Sequence, residues 1–333
     1  MDSPDLQVLQ GIQRWSDAGE GFVLVTVART WGSAPRPPGA WLALRQDGAT
    51  LGSVSGGCVE DDHARRLAAG EFDRGPPRLL TYGVTRDEAA RFGLPCGGTL
   101  ELILEPAPSA AGLTDLARRI AAGELARRTI DLATGTVTVE DATRDDALTW
   151  DGRRLSTVHG PRWRLFVVGA NQIARCLAPM AQILDYAVTV CDPRVEHTSQ
   201  WDVPGVVLTT EMPDDAVLAF APDPHAAVVT LTHDPKLDDL ALLEALKSPA
   251  FYVGALGARR TNAARRARLL EHFDLSAEEV GRLHGPVGLA IGSRTPAEIA
   301  VAILAHLTAL RRGASVGLAA PSAALEPARC GHP

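Results

Sequence analysis

Apolar residues in the first third of the chain follow two different spacings. Leu6, Leu9 and Ile12 recur at helical intervals and predict a helix over residues 5–19. Residues 22–28 form an apolar run rich in β-branched side chains, which predicts a buried strand. The other elements predicted here are strands at 41–44 and 51–54 joined by a hairpin turn, a helix at 58–69, and strands at 78–82 and 99–104. This pattern indicates a mixed α/β N-terminal domain.

The second half of the chain alternates short apolar runs with helical segments. Strands are predicted at 163–168, 187–190, 206–208, 226–231 and 251–253. Such alternation predicts an α/β domain of Rossmann type, with a parallel sheet covered by helices on both faces. The last helix is predicted to begin at Thr295, because Thr295, Pro296 and Glu298 combine an N-cap, a first-turn proline and a capping box.

Residues 107–160 have a weaker apolar pattern and separate these two halves. They predict a connecting helix and a small hairpin centred on Trp150-Asp151-Gly152. The predicted domains are an N-terminal domain over 1–106, a linker over 107–160, a Rossmann-like domain over 161–313 and a flexible tail over 314–333.

Composition and charge narrow the classes of partner. The 333 residues are 46% hydrophobic and 22% charged, as in folded proteins, and 33 basic against 40 acidic residues give a net charge of −7. No global positive field would attract nucleic acid, and no run of about 18 apolar residues would span a membrane. The start of the chain lacks the basic and apolar segments of a secretory signal, so we expect a cytoplasmic protein with reduced thiols.

One local run of arginines departs from the acidic balance. Its members are Arg259, Arg260, Arg265, Arg266 and Arg268. This spacing spreads them around a helix, which favours a solvated face over a dock for phosphate or a partner.

Two of the five cysteines stand beside paired glycines. The two segments are Gly56-Gly57-Cys58 and Cys96-Gly97-Gly98. Cys58 is predicted at the first turn of a helix, where the helix dipole favours a thiolate, and the glycines leave space for a bulky ligand to reach sulfur. The alternative is a packing role, because free cysteine is among the most buried residue types.

The chemistry open to such cysteines is limited by what the sequence lacks. It contains no C-x₂-C zinc spacing, serine nucleophile elbow, Walker loop or HExxH helix. Soft thiolates in a reducing compartment suit a soft or sulfur-bearing metal centre, or persulfide chemistry. Arg36, in the Pro/Gly-rich loop over residues 32–39, is a candidate anion clamp.

The Rossmann-like half carries an altered dinucleotide motif. The G-x-G-x-x-G/A pattern is represented by Gly169-Ala170-Asn171-Gln172-Ile173-Ala174, and Asp192 stands where a ribose-binding acid would. Asn171 replaces the middle glycine, and its side chain occupies space that a pyrophosphate needs. The sequence therefore supports the fold more strongly than it supports NAD binding.

Further candidates lie at the carboxyl ends of the predicted parallel strands. His233, in Thr232-His233-Asp234, is the histidine best placed for function, although a structural role is the alternative. Glycine turns at 252–260 and 292–295 precede helices and expose N–H groups that suit an anion. Together these turns indicate a phosphate-bearing ligand.

Taken together, the motifs resemble the xanthine dehydrogenase accessory protein (XdhC/CoxI) family. In the N-terminal half they are Gly32-Ser-Ala-Pro-Arg-Pro-Pro-Gly39, Gly52-Ser-Val-Ser-Gly-Gly-Cys-Val-Glu60 and Cys96-Gly-Gly98. In the second half they are Val168-Gly-Ala170 through Asp192-Pro-Arg194, Thr232-His-Asp234, Tyr252-Val-Gly-Ala-Leu-Gly257 and Gly288-Leu-Ala-Ile-Gly292. The resemblance covers nearly the whole chain in order, except the linker and the tail.

The resemblance implies a molybdenum cofactor chaperone rather than a catalyst. Such proteins bind a molybdopterin-type cofactor, in a mononucleotide or dinucleotide form, support its sulfuration and deliver it to an apo-molybdenum hydroxylase. The family's first-domain cysteines map to Cys58 and Cys96, which would contact the metal. A cysteine desulfurase as sulfur donor and a homodimeric state are further expectations. This chain departs from the family's Gly-Ala-Gly-His turn at Asn171 and Gln172, which puts dinucleotide binding there in doubt.

Two other functions remain open at this point. The strand–Gly169–helix–Asp192 unit would also suit an NAD(P)-dependent oxidoreductase. A dithiol sulfur-transfer protein without a pterin would instead form a reversible disulfide between Cys58 and Cys96, which requires Cα atoms within about 7 Å.

Overall fold

The computed structural model describes residues 4–31, 36–72, 74–83 and 99–314. Cys96, Gly97 and Gly98, the helical piece predicted before them, and nearly all of the predicted tail lie outside the described residues. The chain divides into two compact units, the first lying mostly before Phe166 and the second mostly after Thr210.

The first sheet has five antiparallel strands in the order β3-β2-β1-β5-β4. The strands are β1 (Phe22–Thr30), β2 (Trp41–Arg45), β3 (Thr50–Gly52), β4 (Arg78–Tyr82) and β5 (Leu100–Glu105), with helices α1 (Pro4–Asp17) and α2 (Cys58–Ala68). Each element predicted from the sequence in these ranges is confirmed.

Helices cover both faces of this sheet, which explains the unbroken apolar run in β1. Val23, Val25 and Val27 pack with residues of α2, whereas Leu24 packs with residues of α1. Because successive side chains of a strand point to opposite faces, a strand covered on both sides needs apolar residues at every position.

A second sheet follows helix α3 (Ala110–Ala121), with four antiparallel strands in the order β7-β6-β9-β8. These strands are β6 (Ala126–Asp131), β7 (Val137–Asp141), β8 (Thr149–Trp150) and β9 (Arg154–His159). The predicted helix and hairpin are confirmed, since β8 and β9 pair through Trp150 and Leu155. The prediction missed β6 and β7. In β6 an inward position is occupied by Arg128, which pairs with the buried Glu105 at 2.6 Å and so disguises the apolar pattern.

The third sheet has six strands in the order β12-β11-β10-β13-β14-β15. They are β10 (Trp163–Val168), β11 (Tyr186–Cys191), β12 (Val207–Thr209), β13 (Ala226–Thr230), β14 (Tyr252–Ala255) and β15 (Leu283–His284). β14 pairs in parallel with both β13 and β15. This is the 3-2-1-4-5-6 order of a Rossmann fold, whose topology reverses between β10 and β13. The predicted fold class, mixed α/β followed by a Rossmann-like parallel sheet, is confirmed.

The helices of this half are α4 (Gln172–Ile183), α5 (Val195–Thr198), α6 (Pro213–Phe220), α7 (Pro235–Lys247), α8 (Arg259–His272), α9 (Ala277–Gly281) and α10 (Pro296–Arg311). The predicted start of α10 is confirmed, because the Thr295 side chain accepts a hydrogen bond from the Glu298 N–H within a capping box. In the described part of the chain, no helix combines the length and the apolar character needed to cross a membrane.

The predicted solvated face of the arginine run is wrong for Arg265. This side chain is buried, and its guanidinium contacts Asp238 at 2.9 Å and Asp239 at 3.2 Å. Arg268 also reaches Asp239, at 2.7 Å. The run lies on α8, which packs against α7, and the two aspartates of α7 supply the charges that allow an arginine to be buried there.

Candidate functional site

The turn before α2 is organised by the carboxylate of Glu60. Glu60 lies in the first turn of that helix and reaches back over the preceding residues, with its oxygens 2.7 Å from the Ser53 hydroxyl and 2.8 Å from the Gly57 nitrogen. The donors are the hydroxyl groups of Ser53 and Ser55 and the backbone N–H groups of Val54, Ser55, Gly56 and Gly57. One side chain therefore fixes the shape of the whole turn.

The same hydrogen bonds set the charge of this carboxyl group. Burial would raise the pKa of Glu60, but hydrogen bonds from Ser55, Ser53 and Gly56 hold it well below its ordinary value of 4.5. The Glu60 carboxylate is thus ionised at neutral pH, and its hydrogen-bond donors are groups of this chain.

The paired glycines have a conformational role in this turn. Gly56 has φ 101° and Gly57 has φ 149°, a region that residues with a side chain rarely adopt. A Cβ added at Gly57 would meet no atom of the described residues within 4 Å. Glycine is therefore needed here for the backbone rather than to avoid a clash with a described residue.

Cys58 is the first residue of α2 and its side chain is exposed. The packing alternative does not hold for Cys58, because a packed cysteine would be buried. Cys96 and its glycines lie outside the described residues, so the pairing of the two cysteines stays a prediction. Within the described ranges, no cluster of three or more histidine, cysteine or acidic residues has the arrangement of a metal site.

Arg36 connects the Pro/Gly-rich loop to this turn. Its Nε donates to the backbone oxygen of Ser53 at 3.3 Å, and Ser53 is itself bonded to Glu60. The structure thus brings Arg36, Gly56, Gly57 and Cys58 into one connected segment.

The role of Glu60 as an organiser of the site was not predicted from the sequence. A signal was present, because a glutamate in the first turn of a helix is the residue that reaches back in a capping box. It gave no indication that one carboxylate would collect the N–H groups of an entire loop.

In the Rossmann half, the Gly169 turn is closely packed. Gly169 has φ 110°, and a Cβ there would lie 3.1 Å from the Thr232 side chain. Asn171 caps α4, because its Oδ1 accepts from the N–H groups of Ile173 at 2.9 Å and Ala174 at 3.1 Å. Its Nδ2 donates to the backbone oxygen of Leu231 at 2.6 Å. Two of the N–H groups at this helix start, which could otherwise bind a pyrophosphate, are therefore occupied by Asn171.

Asp192 is engaged in a similar way. It is fully buried, accepts from the Ala170 N–H at 2.9 Å and forms a two-pronged ion pair with Arg194 at 2.8 and 2.9 Å. Burial would raise the pKa of Asp192, but the bond to Arg194 lowers it below its ordinary value. A ribose hydroxyl could bind Asp192 only by displacing Arg194, a residue whose role the sequence analysis did not predict.

His233 lies just beyond β13 and is exposed, with φ 62°. Positive φ is uncommon for a residue with a side chain. Its neighbour Thr232 is held by Asp238 at 2.7 Å and faces Gly169. The structure thus brings Gly169 and Asp192 together, and His233 is next in sequence to Thr232, which contacts Gly169. Cys58 belongs to the other unit.

The sequence comparisons bear on both halves. A family model described as the XdhC Rossmann domain matches residues 165–307, and a model of the XdhC and CoxI family matches residues 15–83. The chain is 30% identical over 304 residues to the molybdenum cofactor insertion chaperone PaoD of Escherichia coli (strain K12), which covers 88% of this chain and 85% of PaoD. The chain belongs to the XdhC and CoxI family. The resemblance drawn from the motifs is thereby confirmed.

Two further proteins are similar to this chain over most of its length. A probable xanthine dehydrogenase subunit from Bacillus subtilis (strain 168) is 27% identical over 329 residues, covering 89% of this chain and 95% of the relative. The crystal structure of a xanthine dehydrogenase from Bacillus halodurans superposes with a TM-score of 0.72 at 23% identity, covering 96% of this chain and 98% of that one. That structure shows the same fold.

The matched ranges also divide the candidate residues. Arg36, the paired glycines and Cys58 lie inside the XdhC and CoxI match, and Gly169, Asp192 and His233 lie inside the Rossmann match. Cys96 falls between the two ranges.

Proposed function

We propose that this chain is a molybdenum cofactor-binding chaperone. It supports sulfuration of the cofactor and its insertion into a molybdenum hydroxylase of the xanthine dehydrogenase/aldehyde oxidase type. The observation that carries the proposal is the 30% identity to PaoD across 85% of that insertion chaperone.

The geometry around Cys58 supports a soft-metal cargo. The thiol is exposed at a helix start, on a turn that Glu60 fixes and beside Gly57, where an added Cβ would meet no described residue. Thiolates prefer soft metals and sulfur-bearing centres, and molybdenum with a sulfur ligand is such a centre. Cys58 is therefore the residue that would hold the cargo, with Cys96 as a second contact.

Dinucleotide chemistry receives less support from the structure. Asn171 occupies two N–H groups of the helix start and Arg194 occupies Asp192, so part of a pyrophosphate site and the ribose-binding acid are already bonded within the chain. We accordingly place the function in cofactor delivery rather than in hydride transfer. A dithiol sulfur-transfer role would need Cys58 and Cys96 to form a disulfide.

The proposal includes partners. The client is an apo-molybdenum hydroxylase, the sulfur donor is a cysteine desulfurase, and the chain acts as a homodimer. The cofactor is molybdopterin or one of its dinucleotide forms.

Reconstitution of a client enzyme tests the proposal. The purified chain, isolated from cells that make molybdenum cofactor, is mixed with an apo-hydroxylase of the xanthine dehydrogenase type, and hydroxylase activity is measured. We expect wild-type protein to activate the enzyme and Cys58→Ala to fail, with Cys176→Ala, in the Rossmann half, as the matched thiol control. Activation that is absent with wild type, or equal with Cys58→Ala, would contradict the proposal.

A further inference from the structure

A cavity of about 510 Å³ lies in the N-terminal half, lined by residues of α1, of the segment before β2 and of β9. Its volume is that of a small-molecule site. Arg36 and Arg162 line it, whereas Cys58 does not. We propose that this cavity binds the phosphate group of a small phosphorylated ligand through these two arginines.

The two arginines are the first reason. Arg36 uses its Nε on the Ser53 backbone oxygen, and Arg162 uses one Nη on the Arg144 backbone oxygen at 2.9 Å. Neither guanidinium has a carboxylate partner among the residues that the structure describes. The Nε of Arg162 is buried and has no hydrogen-bond partner among the residues that the structure describes.

Another residue of the cavity wall carries an unpartnered donor. Trp41 is 3% exposed and lines the cavity, and no described residue accepts a hydrogen bond from its indole Nε1. Its ring lies 4.5 Å from the ring of His159. A buried indole N–H usually finds an acceptor, so this is a second group whose hydrogen-bonding capacity is unmet.

Other polar groups of this wall satisfy one another. His159 is held at Nδ1 by Asp5 and at Nε2 by Thr157, each at 2.7 Å. Two carboxylates, those of Asp5 and Asp185, also line the cavity, and that of Asp5 is bonded to His159. The donors that the cavity offers a ligand are the remaining guanidinium N–H groups of Arg36 and Arg162.

The guanidinium donors of this cavity favour an anion. Guanidinium groups match phosphate oxygens with two parallel hydrogen bonds, and Arg is favoured wherever such recognition matters. The identity of the ligand rests on the proposed function: for a molybdenum cofactor chaperone it is the phosphate end of the pterin.

Titration calorimetry with inorganic pyrophosphate tests the site directly. The full-length protein is used in a phosphate-free buffer of fixed ionic strength. We expect binding by wild type, a loss of about tenfold in affinity for Arg36→Gln and for Arg162→Gln, and a smaller loss for Arg36→Lys, which keeps the charge without the fork. Arg14→Gln removes an exposed arginine of α1 that does not line the cavity, and it should bind as wild type does.

Two results would overturn the inference: no binding by wild type, or equal binding by wild type and both glutamine variants. Thermal unfolding reports whether each variant folds. If Arg162→Gln does not fold, the pyrophosphate affinity of Arg36→Gln tests the inference, because Arg36 is exposed and its substitution should leave the fold intact. The outcome separates from that of the proposed function. If the protein copurifies with pterin but its pyrophosphate affinity does not depend on the two arginines, only the pocket proposal is contradicted. If it binds pyrophosphate through the arginines but carries no pterin, only the chaperone proposal is contradicted.

Discussion

Two helix starts in this chain, those of α2 and α4, meet the same physical need in different ways. The first N–H groups of a helix lack partners within the helix, and the N–H groups of the irregular turn before it need acceptors as well. At α2 the carboxylate of Glu60 reaches back and collects the N–H groups of the preceding turn. At α4 the Asn171 side chain accepts from the helix itself, and Asp192 accepts from the turn before it.

The difference decides what each turn can offer a ligand. The α2 arrangement leaves Cys58 exposed on a fixed backbone. The α4 arrangement uses two helix N–H groups and the Asp192 carboxylate for bonds within the chain, at the turn where a Rossmann fold can hold a pyrophosphate and a ribose. A glycine turn before a helix therefore predicts a backbone shape, and the polar side chains around it determine whether a ligand can bind.

The largest effect is expected from removing the organiser of the first turn. Glu60→Ala leaves the hydroxyl and N–H donors of residues 53–57 without their acceptor, and we expect the free energy of unfolding to fall by about 2 kcal/mol. Asp61→Ala is the matched control, since Asp61 is exposed and neighbours Glu60, and its effect should stay within about 0.5 kcal/mol. Urea unfolding measures both, and equal effects would show that Glu60 does not organise the turn.

A smaller effect is expected at the second turn. Asn171→Ala removes the cap of α4 and should lower the free energy of unfolding by about 1 kcal/mol, whereas Asn171→Gly should cost only a few tenths. Asn171→Gly also restores the middle glycine of the dinucleotide motif. We expect it to bind NADH no better than wild type in a fluorescence titration, because Asp192 remains paired with Arg194. Micromolar binding of NADH would show that the ion pair is not a barrier.

Two half-buried groups, His284 and Glu60, should respond to acid in different pH ranges. In the Rossmann half, His284 stacks on Tyr252 at 4.4 Å, and burial, with smaller effects of His306 and Arg266, lowers the pKa of His284 to about 4. The ordinary value is 6.5, so the unfolded chain takes up this proton first. The free energy of unfolding should therefore decrease as pH falls from 6.5 towards 4.

Glu60 responds in a more acidic range. Its pKa lies below 4.5, so its stabilising contribution is present above pH 4.5 and is lost as the pH falls below that value. Unfolding of wild type, His284→Phe and Glu60→Gln over a pH series separates the two. His284→Phe should flatten the decrease between pH 6.5 and 4, and the deficit of Glu60→Gln should shrink only below 4.5. An unchanged pH dependence in His284→Phe would contradict the assignment.

The sequence was sufficient for elements with a clear apolar period or a clear boundary. Strand β1, covered on both faces, and α10, with its Thr295 cap, are of this kind. It was insufficient where a polar side chain is buried by a partner distant in the chain. Arg128 with Glu105, and Arg265 with Asp238, look like surface charges until the fold brings their partners to them.

The candidate site divides in the same way. The position of Cys58 at the first turn of a helix follows from local rules of helix starts and glycine turns, whereas its exposure depends on the fold. The occupation of Asp192 by Arg194, and the gathering of Arg36, Trp41 and Arg162 around one cavity, depend on tertiary contacts that no local pattern encodes.

The central claim is that Cys58 holds molybdenum cofactor, and the pterin content of the purified protein tests it most directly. Wild type, Cys58→Ala and Cys176→Ala are isolated from the same cofactor-producing cells, and released pterin is measured per mole of protein. Because Cys58 is exposed, its substitution should leave the fold intact, which thermal unfolding verifies. The account predicts pterin in wild type and Cys176→Ala and a loss of most of it in Cys58→Ala. Equal pterin content in all three proteins, or none in wild type, would contradict it.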